Sequence, residues 1–359
     1  MFTDVSGHKS SIVKEMTIDF INKFKNKIGS NNCIELRKEY RKSKKEGEYY
    51  LMDYKSVETS ENGVIIRGVK NFKLKHIFEC GQVFRFEEIQ ENNFIVIAFG
   101  KLIELVQKND DVFIYNTTEE EFKEIWLNYF DLDRDYSLIK EELSKDELLK
   151  QSIEFGSGVR VLNQDPFEML ISFIISARNS IPSIRKTVNK ISEQWGSKIE
   201  YKGKVYYAFP TIEQIKDAKL DEIKETGASF RSKYLLDTIE NIYKSINNDP
   251  KSSDDERNIL NKYDLNYIRS LSDDDCHTAL QEFKGVGAKV ADCIMLFSMG
   301  KTSAFPVDVW VKRAMMHFYN AEEGSLNKIR VFARNKFGKL SGFAQQYLFY
   351  YARENNIKV

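Results

Sequence analysis

The stretch Leu280-Gln281-Glu282-Phe283-Lys284-Gly285-Val286-Gly287-Ala288-Lys289-Val290-Ala291-Asp292-Cys293-Ile294 decides how the chain is read. A helical pattern ends at Phe283, two glycines bracket a single apolar residue, and a second helical pattern starts at about Ala288. This is a helix–hairpin–helix. Glycine tolerates the tight backbone of such a turn and lets a ligand approach closely, while free amide groups at the start of the second helix form a seat for phosphate. Read alone, Gly-Val-Gly between helices is also a plain turn. Lys289 adds chemistry, because it falls in the first turn of the helix, where the positive end of the macrodipole disfavours an ammonium. The position is poor for stability and good for a nucleophile, since positive potential and burial favour the neutral, reactive amine. A surface lysine is the plainer alternative.

Next along the chain comes Phe305-Pro306-Val307-Asp308-Val309-Trp310-Val311-Lys312-Arg313. Asp308 is placed to cap a further helix whatever else it does. Geometry connects it with Lys289: a helix from Ala288 to Met299 advances about 18 Å, and the link from Lys301 to Val307 spans about 23 Å when extended. The chain can therefore return Asp308 to the end that carries Lys289.

At 359 residues the chain is too long for one compact core and fits two or three domains; 42% hydrophobic and 30% charged residues are ordinary for a soluble protein. No apolar run approaches the roughly 18 residues that span a bilayer, and Met1-Phe2-Thr3-Asp4 does not open a basic-then-apolar leader, so neither a membrane nor a secreted protein is expected. Cys33, Cys80, Cys276 and Cys293 stand too far apart to indicate a disulfide scaffold or a zinc or iron–sulfur cluster. The cytosol is the natural compartment. Fifty-four basic residues balance 54 acidic ones, so any nucleic-acid site must be local.

Residues 1–55 form a lysine-rich extension with Arg37, Lys38, Arg41, Lys42, Lys44 and Lys45 close together, a solvated face or a phosphate-contacting arm whose role is unassigned. Residues 56–160 read as an antiparallel β domain with flanking helices, with strands expected at Val64–Ile66, Val83–Phe86, Phe94–Ile97 and Val112–Tyr115. From about Thr118 the period becomes helical, with Phe122, Trp126, Tyr129 and Phe130 on one face. Residues 161–359 are expected to be mostly helical and to contain the helix–hairpin–helix at about 275–300. The fold class is α+β: an N-terminal antiparallel sheet domain, then two mostly helical domains with the hairpin between them. One helix start is well marked: Asp165 can cap, Pro166 suits the first position, and Glu168 can complete a reciprocal cap. The helix through Met169, Leu170, Phe173 and Ile174 should be buried.

With hairpin, lysine and aspartate in one chain, the sequence resembles the helix–hairpin–helix DNA glycosylase superfamily, and within it the 8-oxoguanine DNA glycosylases of the bacterial, clostridial-like type. The signature lies in Gly285 to Cys293 and in Pro306-Val307-Asp308-Val309, and the likeness covers roughly residues 60 to 357. It implies that Lys289 attacks C1′ of the damaged nucleotide, expels 8-oxoguanine, forms a Schiff base with the sugar and drives β-elimination on the 3′ side. An amine suits this because the imine it forms withdraws electrons from the sugar, as water cannot. Asp308, as a carboxylate, would stabilise the cationic sugar and help position the nucleophile. Gly285, Val286 and Gly287 would hold the DNA backbone.

Further segments match. Phe78-Glu79-Cys80-Gly81-Gln82-Val83-Phe84-Arg85-Phe86 is similar to the damage-recognition segment, where the carbonyl at the position of Gly81 accepts the N7–H that 8-oxoguanine has and guanine lacks. Guanine would set a lone pair against that carbonyl, which discriminates more than one extra oxygen would. Gly342 to Phe349 resembles the segment supplying a base-edge amide, Gln345, and a stacking ring, Phe349. These are four apart on one helix face, as are Lys289 and Cys293, the last pocket residue. Alone, each has a plainer reading: a glycine at a strand bulge, an aromatic in a core, a small buried hydrophobe. Asp165 to Glu168 with Ser176 to Ser183 resembles the helix and turn that fill the gap left by a flipped base, and Arg178, Asn179, Phe230 and Arg231 would serve as opposite-base and wedge residues.

The chain departs from the mammalian pattern in several places. Arg178 stands for an asparagine, Ser183 for an arginine, Phe230 for a tyrosine wedge and Trp310 for a phosphate-contacting histidine, while Lys284 replaces a common proline and could add a phosphate contact. These changes leave excision intact and put partner-base reading in question. The resemblance implies no metal or organic cofactor, with room for a structural cation near the hairpin. Its partner would be double-stranded DNA containing 8-oxoguanine, met by a monomer in the bacterial cytoplasm that sits on the nucleoid when bound. Two other readings stay open. One is a glycosylase for another damaged purine, which Gly81, Gln345 and Phe349 beside the lysine argue against; the other is a non-catalytic DNA-binding hairpin, in which the lysine and aspartate would have no purpose.

Overall fold

Val64, Ile66, Val112 and Ile114 are buried while the residues between them are half-exposed, the alternation of strands with one face on a core. The computed structural model describes residues 53–247, 262–319 and 325–356, so nearly all of the lysine-rich extension lies outside the described residues. Six antiparallel strands form one sheet in the order β1-β2-β6-β5-β4-β3: β1 Ser56–Ser60, β2 Gly63–Arg67, β3 Phe86–Gln90, β4 Asn93–Ala98, β5 Lys101–Lys108 and β6 Asp111–Tyr115. Register sets Val64 opposite Ile114, Ile114 opposite Leu105, and Leu105 opposite Phe94, a cross-strand apolar row. Phe72, Phe78, Phe122, Trp126 and Phe130 close over this face.

Strand β5 had no clear alternation to announce it, because both of its faces are covered. Leu102, Ile103, Glu104 and Leu105 are all buried. The second face is met by a hairpin of Lys198–Tyr201 and Lys204–Tyr207, whose Tyr201 hydroxyl donates to Glu104 at 2.7 Å and whose Lys202 pairs with the same carboxylate at 2.5 Å. The expected strand at Val83–Phe86 is corrected. Helix Leu74–Glu79 runs into a turn at Gly81, where φ is +81°, and pairing begins only at Phe86. Gly81 is therefore a turn residue and not a bulge.

The helical remainder has its own apolar core, which includes Met169, Leu170, Phe173, Ile294, Phe343 and Leu348. The helix Pro166–Ser176 starts as expected, with Asp165 accepting the amide of Glu168 at 2.9 Å. Glu168 does not return the bond. Its side chain turns inward to within 4.0 Å of buried Arg85, and burial pushes its carboxyl up to about 7 against the pull of that guanidinium. A carboxylate on the inward face of a nearly all-apolar helix cannot reach back to the cap.

Arg160 ties the sheet to the helices. Fully buried, it donates to Asp53 at 2.8 Å, to the carbonyls of Phe130 at 3.0 Å and Arg134 at 3.1 Å, and to that of Asp131 at 2.5 Å, with its carbon 4.0 Å from the centre of the Tyr136 ring. Removing the guanidinium leaves the buried Asp53 carboxylate, still bonded to the Tyr136 amide and Asn71, without its countercharge and takes a donor from three carbonyls in a dry place. Arg160→Ala should lower unfolding stability by about 3–5 kcal/mol, read as a shift of the urea midpoint; a loss below about 1 kcal/mol would mean that water reaches this clamp.

Candidate active site

The hairpin is built as its residue types require. Helix Asp273–Leu280 ends, Phe283 and Val286 plug into the core, and Gly285 takes φ +87°, where a Cβ would come within 2.7 Å of the Tyr234 ring. Glycine is needed there for both reasons. Gly287 opens helix Ala288–Ser298 and has nothing within 4 Å of a built Cβ, so its face is free for a ligand. The helix is anchored from behind. Asp292, buried at its inner face, receives a two-pronged bond from Arg330 at 2.6 and 2.9 Å, and His277 lies 3.2 Å from the carbonyl of Ala288. Lys284 is exposed and pairs with Asp237 at 2.5 Å.

One cavity of about 300 Å³ collects most of the singled-out residues, a size suited to a small ligand. Lys289, Cys293, Asp308, Gly81, Gln345, Phe349 and Asn179 all line it. Lys289 is half-buried, its ammonium 5.6 Å from the centre of the Phe173 ring, with Cys293 one turn further along the same face. Burial pushes the Cys293 thiol up to about 11, opposed by the Lys289 charge, so the thiol stays protonated and uncharged. Asp308 accepts the amide of Val311 at 2.8 Å and so starts helix Val309–Tyr319. Burial raises its carboxyl above its ordinary value, held back by the Val311 amide and by Lys289.

The opposite wall is made by Gly81 and the last helix, Ser341–Glu354. A Cβ on Gly81 would lie 2.8 Å from the Phe349 ring, so glycine alone lets the backbone pass at this height. Arg353 continues the face of Gln345 and Phe349 at four-residue spacing. It sits 5.2 Å from the Phe349 ring and donates to the carbonyl of Glu79, which locks the last helix to the segment bearing Gly81.

Besides the hairpin's Gly285 and Gly287, four assigned residues lie apart from the cavity lining. Arg178 is exposed with φ +54°, and Phe230 is 56% exposed. Arg231 is buried and donates to the carbonyls of Ala177 and Arg178, the latter at 3.1 Å, while its guanidinium carbon lies 4.4 Å from the Phe230 ring. Val286 is a core residue, while Gly285 and Gly287 beside it are exposed. Sequence reasoning missed Phe173, Gln346 and Arg353 and gave Trp310 only a backbone role, yet all four line the cavity. Arg353 was findable from the spacing Gln345, Phe349, Arg353; Phe173 looked like any core aromatic. Among the described residues, no group of three or more His, Cys, Asp or Glu side chains is placed to hold a metal ion, and no helix is long and apolar enough to cross a membrane.

This arrangement is that of a helix–hairpin–helix base-excision protein, and comparison with known proteins agrees. Residues 171–338 match the HhH-GPD superfamily of base excision DNA repair proteins, and residues 64–170 match the N-terminal domain of 8-oxoguanine DNA glycosylase. The chain belongs to the 8-oxoguanine DNA glycosylase family within that superfamily. It is similar to the 8-oxoguanine glycosylase/lyase of Clostridium acetobutylicum, solved with double-stranded DNA containing cytosine opposite 8-oxoguanine: 56% identity, TM-score 0.79, covering 85% of this chain and all of that one. A probable N-glycosylase/DNA lyase of Methanothermobacter thermautotrophicus is 28% identical over 67% of this chain and 77% of its own. An Arabidopsis thaliana N-glycosylase/DNA lyase is 26% identical over 76% and 75%.

Proposed function

We propose that this protein removes 8-oxoguanine from duplex DNA and then nicks the abasic strand, with Lys289 as nucleophile. One observation carries the reading: an amine on a helix start and a half-buried carboxylate share one cavity with a backbone turn, a ring and a buried amide. The base must leave the stack to enter it. The Lys289 amine forms a bond to C1′ as the bond from C1′ to the base nitrogen breaks, and the base departs with the electron pair. The positive charge that grows on the sugar is met by Asp308. The attached nitrogen gives up a proton and the C1′–O4′ bond opens, O4′ taking a proton, which leaves the protonated imine. Loss of a proton from C2′ of that imine then breaks the C3′–O bond and expels the 3′ phosphate. No metal is invoked in these steps, and the exposed hairpin glycines would seat a backbone phosphate.

The test is product analysis on matched duplexes carrying 8-oxoguanine, guanine or an alkylated purine. Base release with strand nicking on the first alone is expected. Release of an alkylated purine without a nick would replace this reading by that of another glycosylase.

Opposite-base selection should be weak. Strict relatives were expected to use an asparagine, two arginines and a tyrosine; here Arg231 retains the type but spends its Nε and Nη2 on the 177–178 turn, and Phe230 lacks a hydroxyl. Fewer directed donors leave fewer groups unsatisfied opposite the wrong base. Single-turnover rates opposite C, T, G and A should differ by less than about 100-fold, or roughly 2.7 kcal/mol. A larger preference for cytosine would show that Arg178 or another group supplies the missing contacts.

A further inference from the structure

Gly81 stands between two anchors. On its C-terminal side Gln82 is fully buried: its side-chain nitrogen donates to the carbonyls of Ile77 at 2.9 Å and Arg160 at 2.7 Å, and its side-chain oxygen accepts the Leu162 amide at 2.8 Å. Its own carbonyl accepts from Gln164 at 2.8 Å. The core fixes that side. On the other side the helix Leu74–Glu79 ends, where the last carbonyls have no partner within the helix. The carbonyl of Glu79 receives Nη2 of Arg353, which comes from the last helix of the chain.

Arg353 meets two further groups at this place. Its guanidinium carbon lies 5.2 Å from the centre of the Phe349 ring, and its Nη1 is 3.5 Å from the point where a Cβ on Gly81 would stand, itself 2.8 Å from that ring. Its Nε donates to the exposed Glu354 at 2.8 Å. One planar cation at the cavity wall thus joins the ring to the turn. Water or a lysine could satisfy the Glu79 carbonyl, whereas lying against a ring while bonding sideways calls for a flat fork.

We propose that Arg353 is a positioning residue for lesion choice: it holds the turn that carries the Gly81 carbonyl against the Phe349 ring, so that a base stacked on the ring meets the carbonyl edge-on at N7. The inference rests on the cavity being the flipped-base pocket. The N7–H of 8-oxoguanine pairs with that carbonyl and the N7 lone pair of guanine is repelled by it, and both effects weaken steeply as distance and angle degrade. A turn free to shift loses both. The lesion is then held less well and guanine is rejected less well, while the grip on the DNA backbone is a separate matter.

The test is made in the Lys289→Gln protein, where excision does not disturb the binding equilibrium. Its affinity is measured for three duplexes that differ at one nucleotide opposite cytosine: 8-oxoguanine, guanine, and a tetrahydrofuran abasic analogue. The last offers no base and reports folding and backbone grip. The same three affinities are measured after adding Arg353→Met or Arg353→Lys. Methionine keeps a long stem and loses the bond to Glu79; lysine keeps the charge and a single donor but loses the flat fork.

The preference for 8-oxoguanine over guanine should fall by at least about fivefold with Arg353→Met, the scale of one misplaced hydrogen bond, and by less with Arg353→Lys. A preference within about twofold of the parent in Arg353→Met overturns the proposal, including when all three affinities fall together, as they would if Arg353 only gripped a phosphate. Should that variant show no binding to the abasic duplex, an unchanged preference in Arg353→Lys overturns it instead. A Lys289→Gln parent that binds 8-oxoguanine and guanine duplexes equally overturns the reading of the cavity itself.

Discussion

Lys289→Gln is expected to release no 8-oxoguanine and make no nick, with single-turnover excision reduced by more than about 10⁴-fold, the scale seen when a covalent nucleophile is removed. The amide of glutamine cannot form an imine, so both steps fail together. Binding of lesion duplex should persist, because the hairpin glycines, Gly81 and Phe349 are untouched and Lys289 is only half-buried at the cavity wall. Separating base release from nicking would also be informative. If release continued while nicking stopped, water would be the attacking group and Lys289 would act only on the abasic product.

The second large effect concerns the carboxylate. Asp308→Asn should slow excision by about 100-fold or more, as expected when a preorganised charge is withdrawn from a developing cation. Its cap role can be kept apart from this. Asparagine caps helices as well as aspartate does, so the bond to the Val311 amide can survive the change. Burial already disfavours the charged form of Asp308, so the neutral variant should fold with unchanged or slightly higher stability. A near-normal rate with intact stability would reduce Asp308 to a helix cap; a large loss of stability would show that the carboxylate is structural.

How much of this was legible in the chain depends on which physical signal each residue carries. The hairpin, the cap at Asp165 and the return of Asp308 to the Lys289 end are local or near-local, set by glycine, capping chemistry and helix rise, and the structure places all of them as expected. The alternating strands β2 and β6 were readable because one face is wet. Strand β5 was not, since the hairpin of residues 198–207 buries its second face from some 100 residues away. Glu168 was misread for a similar reason: the capping rule is local, whereas the buried Arg85 that draws its side chain inward arrives from another segment. Lys284 was read as a possible phosphate contact and Arg231 as an opposite-base residue; their bonds to Asp237 and to the 177–178 carbonyls are contacts that no spacing rule reports. In the cavity, Gln345 and Phe349 were found by helical spacing together with family likeness, while Gln346 was passed over because neighbouring residues on a helix rarely serve one site.

The central claim is that the Lys289 amine becomes covalently joined to the sugar of an 8-oxoguanine nucleotide. Borohydride reduction during turnover tests it directly, because it converts the imine to a stable amine and leaves protein attached to the strand. On duplexes matched except for the lesion, wild-type protein should give a covalent adduct with 8-oxoguanine and none with guanine, peptide mapping should place the DNA on Lys289, and Lys289→Gln should give no adduct. An adduct mapping to another residue, or product formed with no trappable adduct, would contradict it.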